Sequence, residues 1–437
     1  MPYKSTTEWL KINHPVVDFQ PQTGYISYMF PRHIASRMLE ALADSPVVLL
    51  HGARQTGKST LVQHIASGEH QARYLTFDDT NVLAAATADP VGFLGGLDGP
   101  VALDEVQRAP ELFVALKAEV DRNRVPGHYL LTGSANVLML PKLSESLAGR
   151  MEILTLWPLS QGEIASHREG FIDTLFGGGP IDIELTPGPS LAERILRGGY
   201  PEARGREAPH RRRAWYNSYV STILQRDVRD LANIEGLGAL PRLLALLAAR
   251  VGSLLNHAEV SRSLGLPQST LKRYMALLEA TFLIQLLPAW SGNLGMRLVK
   301  SPKLYLADTG LAASLRGQTD EEGLRRVQAL GPLTENFVVM ELKKQSTWSR
   351  TAPSLFHFRT TAGREVDVVL ESPAGDLVGI EIKSAAAVKS DDFAGLLAMA
   401  EATGERFLRG VVLYRGRQVV PFGVNLHAVP IDALWRT

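Results

Sequence analysis

Val47-Val-Leu-Leu-His51 runs directly into Gly52-Ala53-Arg54-Gln55-Thr56-Gly57-Lys58-Ser59-Thr60, and then into Leu61-Val-Gln-His-Ile-Ala66. The first run is short and apolar, which predicts a buried strand. The last carries its apolar residues at helical spacing. Between them, Gly52 to Ser59 fits the pattern G-x-x-x-x-G-K-[ST] without departure. The glycines let the backbone curl so that its N–H groups, from Gly52 through Thr60, face an anion. The following helix adds the positive end of its dipole. Lys58 is expected to reach the β/γ-phosphates of a nucleotide, and the Ser59 hydroxyl to ligate Mg²⁺.

Farther along the chain, Tyr74–Phe77, Val101–Leu103 and Tyr129–Thr132 read as further strands separated by helix-length segments. That alternation predicts a parallel sheet with helices on both faces. Pro100-Val-Ala-Leu-Asp104-Glu105 ends a strand in two acids. Asp104 is expected to hold the Mg²⁺ shell and Glu105 to polarise an attacking water. In His128-Tyr-Leu-Leu-Thr132-Gly-Ser134, Thr132 or Ser134 is placed to sense the γ-phosphate. Arg150, in Leu147-Ala-Gly-Arg150, is either an arginine finger for a neighbouring subunit or a surface salt-bridge partner. Arg226-Asp227 is a weaker second candidate contact.

The chain has 437 residues, enough for about three domains. Lys+Arg is 46 against Asp+Glu 45, a net charge of +1, so any nucleic-acid surface must be local and not global. The absence of cysteine excludes disulfides, thiolate metal sites and cysteine nucleophiles. No apolar run approaches the ~20 residues of a membrane span. The N-terminus is polar and has no hydrophobic signal core, so a cytoplasmic location without membrane contact is expected.

A Gly/Pro-rich stretch at 176–190 reads as a surface loop, and residues 191–290 as mostly helical. Asn256-His-Ala-Glu259 has capping-box character, Gly265-Leu-Pro267 is a turn, and a second helix follows with Lys272 and Arg273 near its start. This is either a helix-turn-helix that contacts DNA or a helical lid that touches none. Farther on, Arg364-Glu-Val-Asp367 lies on one strand and Glu381-Ile-Lys383 on the next. Glu381 and Lys383 share a face, and Asp367 can sit beside them. Glu335 begins a helix whose positions Val338, Val339 and Leu342 share its face and are apolar, so Glu335 leans inward. Asp367, Glu381 and Glu335 together can bind Mg²⁺, with Lys383 orienting a water. The alternative is two amphipathic strands with a solvated charged face.

The phosphate loop with its partner acids resembles a prokaryotic AAA-type ATPase. Pro158-Leu-Ser-Gln-Gly-Glu163, Gly198-Gly-Tyr-Pro-Glu202, Tyr219-Val-Ser-Thr-Ile-Leu-Gln-Arg-Asp227 and Lys303-Leu-Tyr-Leu-Ala-Asp308 extend the resemblance over about residues 30–430. The family it points to joins such an ATPase to a C-terminal domain of unknown function. The resemblance implies an α/β chain. Its parts are an N-terminal extension (1–29), a P-loop ATPase domain (30–165), a helical lid or linker (166–239), a winged-helix-like segment (240–300) and an α/β restriction-endonuclease-like domain (301–437) of the PD-(D/E)xK kind. Val366 stands where such nucleases often have Pro. ATP and Mg²⁺ are the implied cofactors, and a ring-like homo-oligomer, a hexamer, the implied assembly. Two functions compete: an ATPase acting on nucleic acid, with a nuclease-like domain, or a nucleotide-controlled switch whose C-terminal domain docks DNA or protein without cutting.

Overall fold

β1 (Val47–His51) is buried along its whole length, as its unbroken apolar run requires. The computed structural model describes residues 30–134, 147, 149–184, 187–228, 237–292 and 301–437. β1 pairs in parallel with β4 (Tyr129–Gly133) on one side and β5 (Met151–Thr155) on the other. Beyond β4 lie β3 (Val101–Asp104) and β2 (Arg73–Thr76), giving the order β2-β3-β4-β1-β5, all parallel. Alternate side chains feed two separate cores. Val47, Leu49, Leu103 and Leu131 pack against the helix Leu112–Arg122. Val48, Leu50, Ala102 and Leu130 pack against the helices Ile34–Asp44 and Lys58–Ser67. The expected helices on both faces are therefore present. β5 was not expected. It is a half-buried edge strand carrying Glu152, without the apolar run that marks its neighbours.

The helices Leu240–Ala249, His257–Leu264 and Gln268–Ala280 precede an antiparallel hairpin of β6 (Ile284–Leu287) and β7 (Lys303–Leu306). This hairpin crosses the boundary expected at residue 300. The Asn256 side chain caps the second helix through Glu259 N, and Gly265 makes the turn at φ +65°. The expected reciprocal half of the cap is replaced: Glu259 pairs with Arg250 at 2.7 Å.

A second, mixed sheet has the order β12-β13-β11-β10-β9-β8. Its strands are β8 (Ser354–Arg359), β9 (Glu365–Glu371), β10 (Leu377–Ile382), β11 (Phe407–Tyr414), β12 (Val420–Pro421) and β13 (Leu426–Pro430). β8, β9 and β10 are antiparallel, while β10, β11 and β13 are parallel. The helix Leu330–Gln345 covers one face and Ala394–Thr403 the other.

Beside those separate cores, one cluster draws on several of the sections expected as successive domains. A single apolar cluster takes in Ala53 of the phosphate loop, Leu243, Tyr305, Ile380 and Trp435. Polar side chains stitch the same sections. Ser160 and Glu163 form a complete capping box on the helix Gln161–Ala165. Gln161 N donates to Glu341 Oε2 at 2.8 Å, and Lys344 Nζ reaches Glu341 at 2.6 Å and Leu159 O at 3.0 Å. Asp308 accepts from Gly199 N at 2.6 Å and Tyr216 OH at 2.9 Å. Gly199 is needed because a Cβ there would lie 2.4 Å from Leu159 O. The short motifs of the sequence are thus partners across the fold.

Lys344 and Glu341 are both buried. Lys344→Met leaves Glu341 without its counter-ion, and stability is expected to fall by about 3–5 kcal/mol in urea unfolding. Adding Glu341→Gln should recover most of that loss.

Candidate nucleotide site

The phosphate loop leaves the C-terminal end of the central strand β1. Gly52 adopts φ +151°, and a Cβ there would meet Leu156 O at 2.2 Å, so only glycine fits. Gly57, at φ +95°, starts the helix Lys58–Ser67. Arg32 braces the loop from behind: its guanidinium donates to Thr56 O at 2.6 Å, Trp157 O at 2.7 Å and Glu163 Oε1 at 3.1 Å. Lys58 Nζ donates to Gly52 O at 3.0 Å and Ala53 O at 2.9 Å. Burial pulls the Lys58 ammonium down to about 8, partly offset by Glu105 and Asp104. Thr56 closes the loop on Ala53 O at 2.9 Å, while Gln55 and Thr60 face solvent.

Asp104, at the end of β3, collects three hydroxyls: Ser59 Oγ at 3.0 Å, Tyr74 OH at 2.7 Å and Thr132 Oγ1. Thr132 also accepts from Glu105 N at 3.1 Å. Glu105 sits in the left-handed region, φ +58°, and its carboxylate is held by Ser134 Oγ at 3.0 Å and by Gln107 Nε2. The fold therefore brings Lys58, Ser59, Asp104, Glu105, Thr132 and Ser134 together. Hydroxyl and carboxylate oxygens side by side at Ser59 and Asp104 suit a hard cation such as Mg²⁺. Tyr74 and Gln107 were missed. The signal for Gln107 was its place two residues beyond the paired acids. Tyr74 carried none, because its role depends on β2 lying beside β3.

Arg54 makes two contacts with the later helical section. Its guanidinium pairs with Asp227 at 3.4 Å, and its carbonyl accepts from Tyr219 OH at 3.3 Å. Arg226 is exposed. Arg150 is not brought to the loop. It precedes β5, whose Met151 lies beside Val47, so it stands at the opposite edge of the sheet. There it pairs with Asp121, donating to Oδ2 at 3.0 Å.

In the C-terminal sheet the β9–β10 register sets Val368 opposite Ile380 and ends there, with Asp367 and Glu381 the next residues on the two strands. Lys303 of β7 lies between the expected acids, 2.9 Å from Glu335 and 2.8 Å from Asp367. Tyr305 OH donates to Glu335 at 2.7 Å, and Ile382 N to Asp367 Oδ2 at 3.0 Å. Lys383 pairs with Glu381 at 3.0 Å. The other Glu381 oxygen is buried without a partner among the described residues, and burial beside Asp367 pushes that carboxyl up to about 8. Among the described residues, no three His, Cys, Asp or Glu gather to hold a metal ion. With the Lys303 ammonium in place, these residues do not fit a divalent cation. Lys303 and Tyr305 were missed as site residues. Their spacing on one strand face was the available signal.

Residues 44–165 match an AAA domain, 188–322 the domain of unknown function DUF8612, and 330–434 the domain of unknown function DUF4143. The uncharacterized proteins Mb2031c of Mycobacterium bovis and Rv2008c of Mycobacterium tuberculosis are each 33% identical over 411 residues. Each alignment covers 93% of this chain and 85% of the relative. The chain belongs to their family. Its first section is an AAA-type ATPase domain, and a nucleotide is its ligand class. Similar solved structures include the Walker-type ATPase PABY2304 of Pyrococcus abyssi, at 16% identity and a TM-score of 0.40, covering 68% of this chain and 99% of that one. The Holliday junction branch migration motor RuvB of Thermotoga maritima follows at 17% identity and a TM-score of 0.29, covering 68% and 95%. Among the described residues, no helix is long and apolar enough to cross a membrane.

Lys58 generates a pH prediction. Phosphate oxygens favour its ammonium, so nucleotide raises a group that titrates at about 8 in the free site. Between the free and bound values, binding takes up a proton. Affinity for Mg-ATP should fall as pH rises above about 8, approaching tenfold per pH unit. Calorimetry at pH 9 in buffers of different ionisation enthalpy should report that proton uptake.

Proposed function

We propose that this chain is an ATP-driven switch whose C-terminal section docks a partner without cutting it. The observation that carries the ATPase half is the convergence of Ser59, Tyr74 and Thr132 on Asp104, with Glu105 alongside, at the mouth of the Lys58 loop. The backbone of Gly52–Thr60 cradles the phosphates, and Lys58 turns from its own carbonyls to the β/γ-phosphates. Ser59 and Asp104 hold Mg²⁺, which when bound neutralises phosphate charge. Glu105, fixed by Ser134 and Gln107, takes the proton of the attacking water. Thr132 keeps the two acids in register. Within a homo-oligomer, a hexamer, Arg150 would leave Asp121 to act in a neighbouring copy's site.

The docking half is supported by Lys303, whose ammonium already balances Glu335 and Asp367. We read the three helices and the β6–β7 hairpin as a winged-helix-like segment, a reading supported by the exposure of Lys272 and Arg273 on the third helix. That chemistry favours a nucleic acid as partner.

Glu105→Gln should bind Mg-ATP normally and hydrolyse it on the order of a hundredfold or more slower. Wild-type turnover in that variant would sink the assignment. Lys58→Ala should lose tight Mg-ATP binding. For the docking half, the wild-type chain should bind duplex DNA with affinity that falls as salt rises, and reversing charge at Lys272 and Arg273 should weaken it. Incubation with DNA or RNA and Mg²⁺ should give no cleavage. Cleavage abolished by Lys383→Ala would restore the nuclease reading instead.

A further inference from the structure

Asp227 ends a π-helical turn, Ile223–Asp227, that interrupts the end of the helix beginning at Pro209. Such turns are rare and are frequently found at functional sites. Here the turn aims a carboxylate at the phosphate loop. The Asp227–Arg54 pair is largely shielded from solvent, with side chains 13% and 26% exposed. Both charges act on the Lys58 ammonium, Asp227 favouring it and Arg54 opposing it. The pair therefore stands within electrostatic reach of the place where phosphates sit.

We propose that Asp227 holds the Arg54 guanidinium away from the phosphates until nucleotide binds, which makes Arg54 a phosphate-binding side chain and Asp227 its positioning residue. The proposal rests on ATP binding at the Lys58 loop. A triphosphate carries several negative charges into the site. It attracts Arg54 more strongly than one carboxylate can, and it repels Asp227. Guanidinium and phosphate also match in geometry, with paired donors facing paired oxygens. The exchange releases the π-turn from the loop. The helix behind it is held at other points. Tyr219 donates to Arg54 O and meets Tyr200 OH at 3.0 Å, while Tyr216 donates to Asp308. Nucleotide occupancy is thereby felt by residues that pack on the C-terminal section. Trp215 is a native reporter, because its ring stacks on Tyr219 at 5.1 Å and 13°.

The test is calorimetric titration of the full chain with Mg-ATP, in a Glu105→Gln background that prevents turnover. Asp227→Asn frees Arg54 and is expected to tighten Mg-ATP binding about tenfold. The same substitution in an Arg54→Ala background is expected to change nothing. Unchanged or weaker binding in Asp227→Asn, or an equal gain without Arg54, would overturn the proposal. In the chain with Asp227 intact, saturating Mg-ATP should shift the part of the tryptophan emission that Trp215→Phe removes. An unmoved Trp215 signal counts against the exchange. If Lys58→Ala binds Mg-ATP as tightly as the parent, the nucleotide-site reading itself has failed. If Lys58→Ala loses binding while Asp227→Asn has no effect, only the Arg54 exchange has failed.

Discussion

The Arg32 guanidinium holds three things that the chain brings from far apart: Thr56 O in the phosphate loop, Trp157 O beyond β5, and the Glu163 carboxylate. A buried guanidinium is tolerable only when its donors are met. Arg32 meets that condition by fixing the rear of the loop. Glu163 is shared with His33 N at 2.9 Å and with the cap of the next helix. The same short helix offers Gln161 N to Glu341. One connected set of charges therefore runs from the phosphate loop to the longest helix of the C-terminal section. Its members fail together, because removing one leaves another buried and unmatched.

That wiring changes what the phosphate loop can do. A nucleotide entering it meets a loop pinned behind by Arg32 and touched in front by the Arg54–Asp227 pair. The rear pair is the more deeply shielded, with the Arg32 and Glu163 side chains 8% and 1% exposed against 26% and 13% for Arg54 and Asp227. Strain from binding is released where contacts are weakest, which is the front. The direction of any conformational response is set by this difference in burial.

The phosphate loop, the paired acids and the alternation of strand with helix were legible because each rests on local spacing. A strand buried on both faces must be apolar throughout, and β1 is. A loop that cradles phosphate needs glycine at positive φ, and Gly52 and Gly57 supply it. Edge strand β5 was not legible, since partial burial leaves no such run. The shared cluster was also hidden. Nothing in Gln161 or Glu341 alone reveals that they meet, because that contact is set by how the sheet and helix layers stack. Motifs that looked like separate signatures are reciprocal halves of tertiary contacts.

The C-terminal acids show how a local reading can miss the chemistry. Asp367 and Glu335 meet on the Lys303 ammonium, and among the described residues no three acids gather to hold a metal ion. Carboxylates brought together in a poorly solvated place must be protonated or supplied with a cation. A divalent ion is one solution, and a lysine delivered by a neighbouring strand is another. β7 delivers Lys303 between Glu335 and Asp367, and Tyr305, two residues on, adds a hydroxyl from the same strand face. Glu381 lies beyond that reach and relies on Lys383, with one oxygen unmatched among the described residues. The charge that a metal would supply is thus provided by the β6–β7 hairpin. The charge balance of these acids is therefore set by the segment that precedes them in the chain.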